Sequence, residues 1–122
     1  METKFNFNSQ VCTSKIQSER LLALGLKRET ADMVWLDHAM TEEYNDWKAT
    51  PVEEWDDWNK NDIPAWSLHR LIEMYDGWVD VGGIGISTAR GVFNGKDNTY
   101  DNLIDAIEYE IKWYDFNKEY LV

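Results

Sequence analysis

The sequence predicts an α+β fold, in which a small antiparallel sheet from the Met33 and Trp78–Phe93 regions is covered by about three main helices. Three stretches place apolar residues at helical spacing after a capping residue, and residues 78–93 are rich in valine, isoleucine, threonine and glycine. The chain has 122 residues, of which 43% are hydrophobic, so it is large enough for a core of its own. These features predict a single domain over residues 1–122, with an acidic, aromatic, insertion-like segment at 37–62.

The first helix is predicted to begin after Ser14. Gln17 stands three residues further on, which is the spacing of a capping box, and Gly25 is placed to end the helix in the left-handed region. The expected apolar face consists of Ile16, Leu21, Leu22 and Leu24. Before this helix, residues 1–12 are predicted to be an extended lead-in, because their phenylalanines alternate with asparagines at the period of an edge strand.

The next elements are a strand and two short helices. A compact apolar run at 33–36 predicts a buried strand. Thr41 is a candidate cap for a short helix that reaches Trp47. Thr50 precedes Pro51, and a capping residue followed by proline is typical of a helix start. Two short amphipathic helices are therefore favoured across the acidic segment, with a loop as the competing interpretation.

The second half of the chain begins with Ser67, a candidate cap for the second main helix. Further on, residues 82–83 are two glycines between β-branched runs, which predicts a β-hairpin followed by a turn-rich loop. The last helix is predicted to begin at Asn98 or Thr99 and to end near Asn117. Its apolar stripe is Leu103, Ile104, Ile107 and Ile111, extended by Tyr100 and Tyr114. The short tail beyond this helix is expected to fold back onto the domain.

The formal net charge of −11 weighs against several classes of partner. Nucleic-acid binding needs a basic footprint, and docking on an anionic membrane is also disfavoured. No apolar run approaches the ~20 residues of a membrane span, and the start of the chain lacks the apolar region of a signal peptide. The sequence therefore predicts a cytoplasmic protein without nucleic-acid or membrane partners. A basic protein partner fits this charge, and so does simple solubility.

Few residues offer catalytic or metal-binding chemistry. Cys12 is the single cysteine, so an intramolecular disulfide is excluded and a cysteine-based zinc site is disfavoured. Its place before a helix start would lower its pKa, and a base would have to come from His38 or His69; the competing interpretation is a buried, inert cysteine. The histidines lack the spacing of paired metal ligands, and the glycines at 82–85 lack that of a dinucleotide loop. We expect no metal and no cofactor.

Several short stretches of the chain form a recognisable combination: CTS, QSERLL and LGL within 12–26, IPAWSL at 63–68, YDNLID at 100–105 and FNKEYL at 116–121. Together they resemble a family of short, uncharacterised proteins encoded by gut bacteria and their phages. No activity is attached to this family, so the resemblance carries over no functional residue. It implies a cytoplasmic, phage- or mobile-element-borne origin, and it favours a small binding protein or inhibitor over a metabolic enzyme.

The most distinctive part of the sequence is the acidic aromatic segment. Between Thr41 and Trp66, five large aromatic residues stand among eight carboxylates and two lysines. Large aromatics bury much area while clustered carboxylates must stay hydrated or paired, so a two-faced element on the surface is expected. The predicted contact anchors are Trp47, Trp55, Trp58 and Trp66. The predicted charged rim is Glu53, Glu54 and Asp57. A satellite hydrophobic cluster that pins this segment to the domain is the competing interpretation.

The remaining tryptophans are assigned by the same logic: Trp35 and Trp113 are expected in the core, and Trp78 in either place. The predicted function is non-enzymatic binding of a basic protein partner, met by complementary charge. The alternative is a small-molecule, nucleotide-like ligand that stacks on aromatic rings, with Arg70 or Arg90 reading its phosphate or carboxylate. A small enzyme using Cys12 or carboxylate chemistry comes third.

Overall fold

The computed structural model describes residues 10–36, 48–51 and 62–122, and over these residues the fold is α+β, as the sequence predicts. The helices are α1 (Lys15–Ala23), α2 (Leu68–Met74) and α3 (Thr99–Trp113). The strands are β1 (Met33–Leu36), β2 (Lys48–Pro51), β3 (Ile63–Ala65), β4 (Val79–Gly82), β5 (Gly85–Thr88) and β6 (Gly91–Phe93). Residues 1–9 of the predicted lead-in, the predicted helix at 41–47 and the acidic stretch at 52–61 lie outside the described residues.

Helix α1 has the predicted capping box. The Ser14 side chain accepts a hydrogen bond from the Gln17 amide at 3.1 Å, and the Gln17 side chain accepts one from the Ser14 amide at 2.9 Å. Gly25 follows the helix with a φ of 105°, a conformation that favours glycine. The prediction that Ile16 joins the apolar face is wrong, because Ile16 precedes the buried Leu21 by five positions and therefore points to the opposite side.

The strands form two separate three-stranded antiparallel sheets, so the prediction of a single sheet is wrong for the described residues. The first sheet has the order β2-β1-β3, and Val34 of β1, the predicted buried strand, is fully buried. Thr50 and Pro51, predicted to start a helix, instead belong to strand β2 and pair with Val34 and Met33. Proline is compatible with a strand at a sheet edge, where its missing N–H removes no ladder bond. Pairing with the buried strand β1 has therefore overridden a local helix-start signal.

The second sheet has the order β4-β5-β6 and contains the predicted hairpin. Gly82 pairs with Gly85, which leaves Gly83 and Ile84 as a two-residue turn. Gly83 has a φ of 64°, which a two-residue hairpin turn requires at its first position and which glycine adopts without strain. The stretch that begins at Gly91, expected to be a loop, starts with strand β6 because Val92 pairs with Ser87.

Helices α2 and α3 start at the predicted caps, because the side chains of Ser67 and Asn98 accept hydrogen bonds from the amides of Arg70 and Asp101. Helix α3 ends at Trp113, four residues before the predicted end at Asn117. The core side chains from both halves of the chain belong to one hydrophobic cluster. Its fully buried members are Leu21, Trp66, Leu71, Ile86, Leu103, Ile104, Ala106 and Ile107.

Buried polar contacts tie helix α3 to the second sheet. Asn102 is fully buried, and its side-chain amide donates to the carbonyls of Ile84 at 2.8 Å and Lys96 at 3.1 Å. Its oxygen accepts a hydrogen bond from the Lys96 amide at 2.8 Å. One side chain therefore fixes both the hairpin turn and the loop that precedes α3.

The tail folds back, as predicted. Leu121 forms an isolated antiparallel bridge with Leu26, and the amide of Val122 donates to the Gly25 carbonyl at 2.7 Å. The amide of Lys27 donates to the Tyr120 carbonyl at 2.8 Å. The end of the chain is thus fixed against the residues that follow α1.

Candidate interaction site at the edge of the second sheet

Of the predicted contact anchors, the structure describes only Trp66, and this expectation is wrong. Trp66 has none of its surface exposed, and its indole N–H donates to the Thr30 hydroxyl at 2.9 Å. A residue with no accessible surface cannot anchor a partner, and its single polar atom is already satisfied. The other predicted members of that surface lie outside the described residues: Trp47, Trp55, Trp58, Glu53, Glu54 and Asp57.

Trp66 instead belongs to a buried polar network that joins the start of the described chain to β3. Thr13 and Trp66 are linked twice, through the Thr13 amide and the Trp66 carbonyl at 2.9 Å and through the Trp66 amide and the Thr13 hydroxyl at 3.1 Å. The Thr13 hydroxyl also lies 2.7 Å from that of Ser18, and the Thr13 carbonyl accepts from the half-buried Trp35 at 2.8 Å. Thr13, Ser18 and Trp66, which come from two of the stretches that carry the family resemblance, therefore have structural roles.

Cys12 does not fit the role of a nucleophile. It is buried, and its burial, together with the nearby negative charge of Asp32, raises the pKa of the thiol to about 12. A thiol with this pKa stays protonated at neutral pH, and the thiolate is the nucleophilic form. The expectation that the helix start would lower the pKa of Cys12 is therefore wrong, because desolvation outweighs it.

The two arginines proposed to read a ligand each contact other residues of the same chain. The Arg70 guanidinium donates to the Thr30 carbonyl at 2.7 Å and lies 3.5 Å from Glu73. Arg90 lies 3.4 Å from the carboxylate of Glu110, and its guanidinium carbon is 4.0 Å from the centre of the Tyr114 ring. Each cation therefore has an internal partner that a ligand would have to replace.

Glu110 is a buried charge that the sequence analysis missed. The residue is fully buried, and one of its carboxylate oxygens has no hydrogen-bond partner among the described residues. Its position three residues after Ile107 places it on the buried stripe of α3, and this spacing could have predicted its burial. Burial raises the pKa of the nearby Tyr75 hydroxyl, the hydrogen bond to Thr88 opposes this rise, and Glu110 adds to it.

Exposed tryptophans occur elsewhere on the described surface. Trp113, expected in the core, is 69% exposed, because it follows Ile107 by six residues and so leaves the buried stripe of α3. Trp78, left open by the sequence, is 58% exposed and comes directly before β4. A tryptophan in water exposes a large apolar surface, so both positions are candidates for contact with a partner.

Next to β4 lies a surface groove of about 470 Å³. Its apolar side is formed by Leu68, Val81 and Ile84, from α2, β4 and the hairpin turn. Gln10 and Asn98 belong to its polar side and are joined by a side-chain hydrogen bond of 2.9 Å. The volume lies within the range of binding pockets, and the combination of an apolar wall with a few fixed polar groups is typical of them.

The charge around this groove is negative. Of the described residues that line it, Asp97 is the only charged one. Between Met74 and Ala89 the only charged residues are Asp76 and Asp80, and both are exposed. We give the name β4 surface to the exposed residues on the two faces of β4 and next to it: Trp78, Val81, Ile84, Asp76, Asp80 and Asp97. It combines exposed apolar side chains with carboxylates, a composition suited to a cationic rather than an anionic partner.

Strand β4 is also an edge strand with main-chain groups available for pairing. Because Gly82 and Gly85 close a two-residue turn, hydrogen-bonded pairs alternate from there, and Asp80 bonds to Ser87 across the ladder. The amides and carbonyls of Val79 and Val81 consequently point away from β5. Neither residue makes a main-chain hydrogen bond on that side within the described chain. An exposed row of this kind is a template for another strand.

Comparisons with family models, curated proteins and solved structures found no match to this chain. The resemblance to gut-bacterial and phage proteins therefore stays a prediction. Within the described residues, no helix is both long and apolar enough to cross a membrane. The same residues hold no cluster of three or more His, Cys, Asp or Glu side chains arranged to bind a metal.

Proposed function

We propose that this protein is a non-enzymatic binding protein that engages a basic protein partner through an acidic surface bearing exposed tryptophan. The observation that carries the proposal is Trp78, which is more than half exposed and is flanked along the chain by Asp76 and Asp80 with no cation between Met74 and Ala89. Tryptophan is among the residues that dominate binding energy at interfaces, and the surrounding carboxylates would speed encounter with a positive partner.

The net charge of −11 supports the same kind of partner, because it attracts a basic protein through long-range electrostatics. The predicted anchors Trp47, Trp55 and Trp58 remain part of this proposal. A cytoplasmic inhibitor encoded by a phage or mobile element is one form of this function, and that form depends on the family resemblance. A nucleotide-like ligand is less well supported, because Arg70 and Arg90 have internal partners and the charged lining of the groove is anionic.

Selection from a displayed library of random linear peptides tests the proposal. We expect enrichment of peptides with a net positive charge, and affinities that fall as the salt concentration rises. Enrichment of neutral or acidic peptides, or affinities that do not change with salt, would contradict a charge-complementary interface.

Matched variants locate the interface. Trp78→Ala should weaken the binding of the selected peptides about tenfold or more, whereas Trp113→Ala, which removes an even more exposed indole from α3, should leave the affinity unchanged. Asp76→Asn with Asp80→Asn should weaken binding about threefold to tenfold. The control is Glu19→Gln with Glu29→Gln, which removes the same charge from exposed positions outside the β4 surface. If both double variants lost the same affinity, the effect would come from the net charge of the protein and not from the position of Asp76 and Asp80.

A further inference from the structure

We infer that the open edge of β4 accepts an extended segment of the basic partner as a fourth strand of the second sheet, with its apolar side chains in the adjacent groove. This inference rests on the proposed function and specifies how the partner docks. It is drawn from three features of the β4 surface: the outward main-chain groups, the groove beside them, and the distribution of charge over the two faces of the strand.

The first feature is the main chain of Val79 and Val81. Both residues stand at positions of β4 whose N–H and C=O groups point away from β5, so an added strand would meet a donor and an acceptor at each. Natural sheets protect such edges with proline, lysine or a bulge, and β4 contains none of these. Strand addition of this kind supplies affinity through main-chain hydrogen bonds and specificity through alternate side chains.

The second feature is the groove on one face of the strand. Val81 lines it together with Ile84 and Leu68, and Val81 and Ile84 are both exposed. A strand added to β4 would direct every second side chain to this face. An aliphatic side chain there would cover the exposed parts of Val81 and Ile84 and remove apolar area from water.

The third feature is Asp80, which points to the opposite face from Val81 because neighbouring side chains of a strand alternate. Its side chain is exposed. Side chains of an added strand that point to this face would therefore pass a carboxylate, and lysine or arginine would be favoured there. The surface fits a segment in which apolar and basic residues alternate.

The fit can be tested with a defined probe, the alternating peptide Lys-Val-Lys-Val-Lys with blocked ends, added to the full chain at millimolar concentration. Its control is Glu-Val-Glu-Val-Glu, which has the same strand propensity and the same apolar residues but the opposite charge. Amide hydrogen exchange followed by NMR is the readout. The expected result is that the Val79 and Val81 amides become protected about tenfold or more with the lysine peptide only.

A pair of variants at one position separates the main chain from the side chain. Val81→Pro removes the outward N–H and replaces the branched valine side chain with a ring, and Val81→Ala removes the two valine methyl groups but keeps the N–H. We expect Val81→Pro to bind the lysine peptide about twofold to tenfold more weakly than Val81→Ala. If Val81→Pro does not fold, the exchange measurement on the unaltered chain still decides the question.

Several results would overturn the inference. Binding of library-selected basic peptides without protection of Val79 and Val81 would leave the proposed function standing and refute strand addition. Failure of every basic peptide to bind would refute both. Protection of these amides before any peptide is added would mean that the edge is already occupied. The occupant would be a second copy if the protection depends on protein concentration, and residues 1–9 of the same chain if it does not and is lost on their deletion.

Discussion

Each edge strand of the first sheet contains a proline, Pro51 in β2 and Pro64 in β3, whereas the edge strand β4 of the second sheet contains none. A proline offers no N–H to an incoming strand, so it makes an edge a poor template for pairing. The first sheet is in addition fixed by the buried network around Thr13 and Trp66. The comparison indicates that the edges of the first sheet are poor sites for strand addition, whereas the β4 edge of the second sheet is suited to it.

The largest expected contrast between the two halves is in stability. Trp66→Ala, next to the first sheet, should lower the free energy of unfolding by about 3–5 kcal/mol, because it opens a cavity and leaves Thr30 without its indole partner. Trp78→Ala, beside the second sheet, should change it by no more than about 0.5 kcal/mol. Urea unfolding followed by far-UV circular dichroism measures both. A similar loss for the two variants would mean that Trp78 is part of the core.

A smaller effect on stability is expected from a substitution in the hairpin turn beside the groove. Gly83→Ala should lower the free energy of unfolding by about 1 kcal/mol, because alanine is strained at a φ of 64°. Gly95→Ala is the control, since it adds the same methyl group in equally open space without a positive φ. Both values come from urea titrations. If Gly95→Ala were the costlier change, the turn would not be the strained element.

The smallest expected effect concerns the ion pairs between the helices that support the two sheets. Glu108 of α3 lies 2.6 Å from Lys112 and 2.6 Å from Arg20 of α1, and these two hydrogen bonds lower the pKa of its carboxyl below the ordinary 4.5. The charged form is therefore favoured by folding. Its contribution is fully present above pH 4.5 and is lost as the pH falls through the lower pKa of the folded state.

Replacing this carboxylate should remove that pH dependence. Glu108→Gln should be less stable than the unaltered chain by about 0.5–1 kcal/mol at neutral pH, and the difference should vanish in acid. Glu119→Gln, an exposed residue near the end of the chain, is the control and should have no such trend. Thermal unfolding across the pH range is the measurement. A difference that persists unchanged in acid would show that Glu108 acts through packing instead of charge.

The sequence predicted best those features that depend on a few neighbouring residues. The caps at Ser14 and Ser67, the glycine that follows α1 and the stripe of α3 from Tyr100 to Ile111 were correct, because each depends on local spacing. The predicted extension of that stripe to Tyr114 was wrong, because α3 ends at Trp113 and Tyr114 is exposed. The hairpin was located because its turn needs glycine. Such signals need no knowledge of the rest of the fold.

Features set by distant contacts were predicted less well. Trp66 and Trp113 were assigned to the wrong environments, since a tryptophan is suited both to a core and to a contact surface. Thr50 and Pro51 had the order of a helix start, but pairing with β1 decided their structure. The groove could not be predicted, because Gln10, Leu68 and Val81 come from three separate elements that only the fold brings together.

The single buried side chain of Asn102 has a consequence for how the groove would work. It holds the carbonyl of Ile84 on one side and both main-chain groups of Lys96 on the other, so these two parts of the rim cannot separate without breaking buried hydrogen bonds. Because this part of the groove is already ordered before binding, nearly all of the conformational entropy lost on binding would be that of the incoming segment. The affinity of each partner segment would then depend on the free energy it needs to become extended. Segments that form stable helices would bind weakly whatever their side chains.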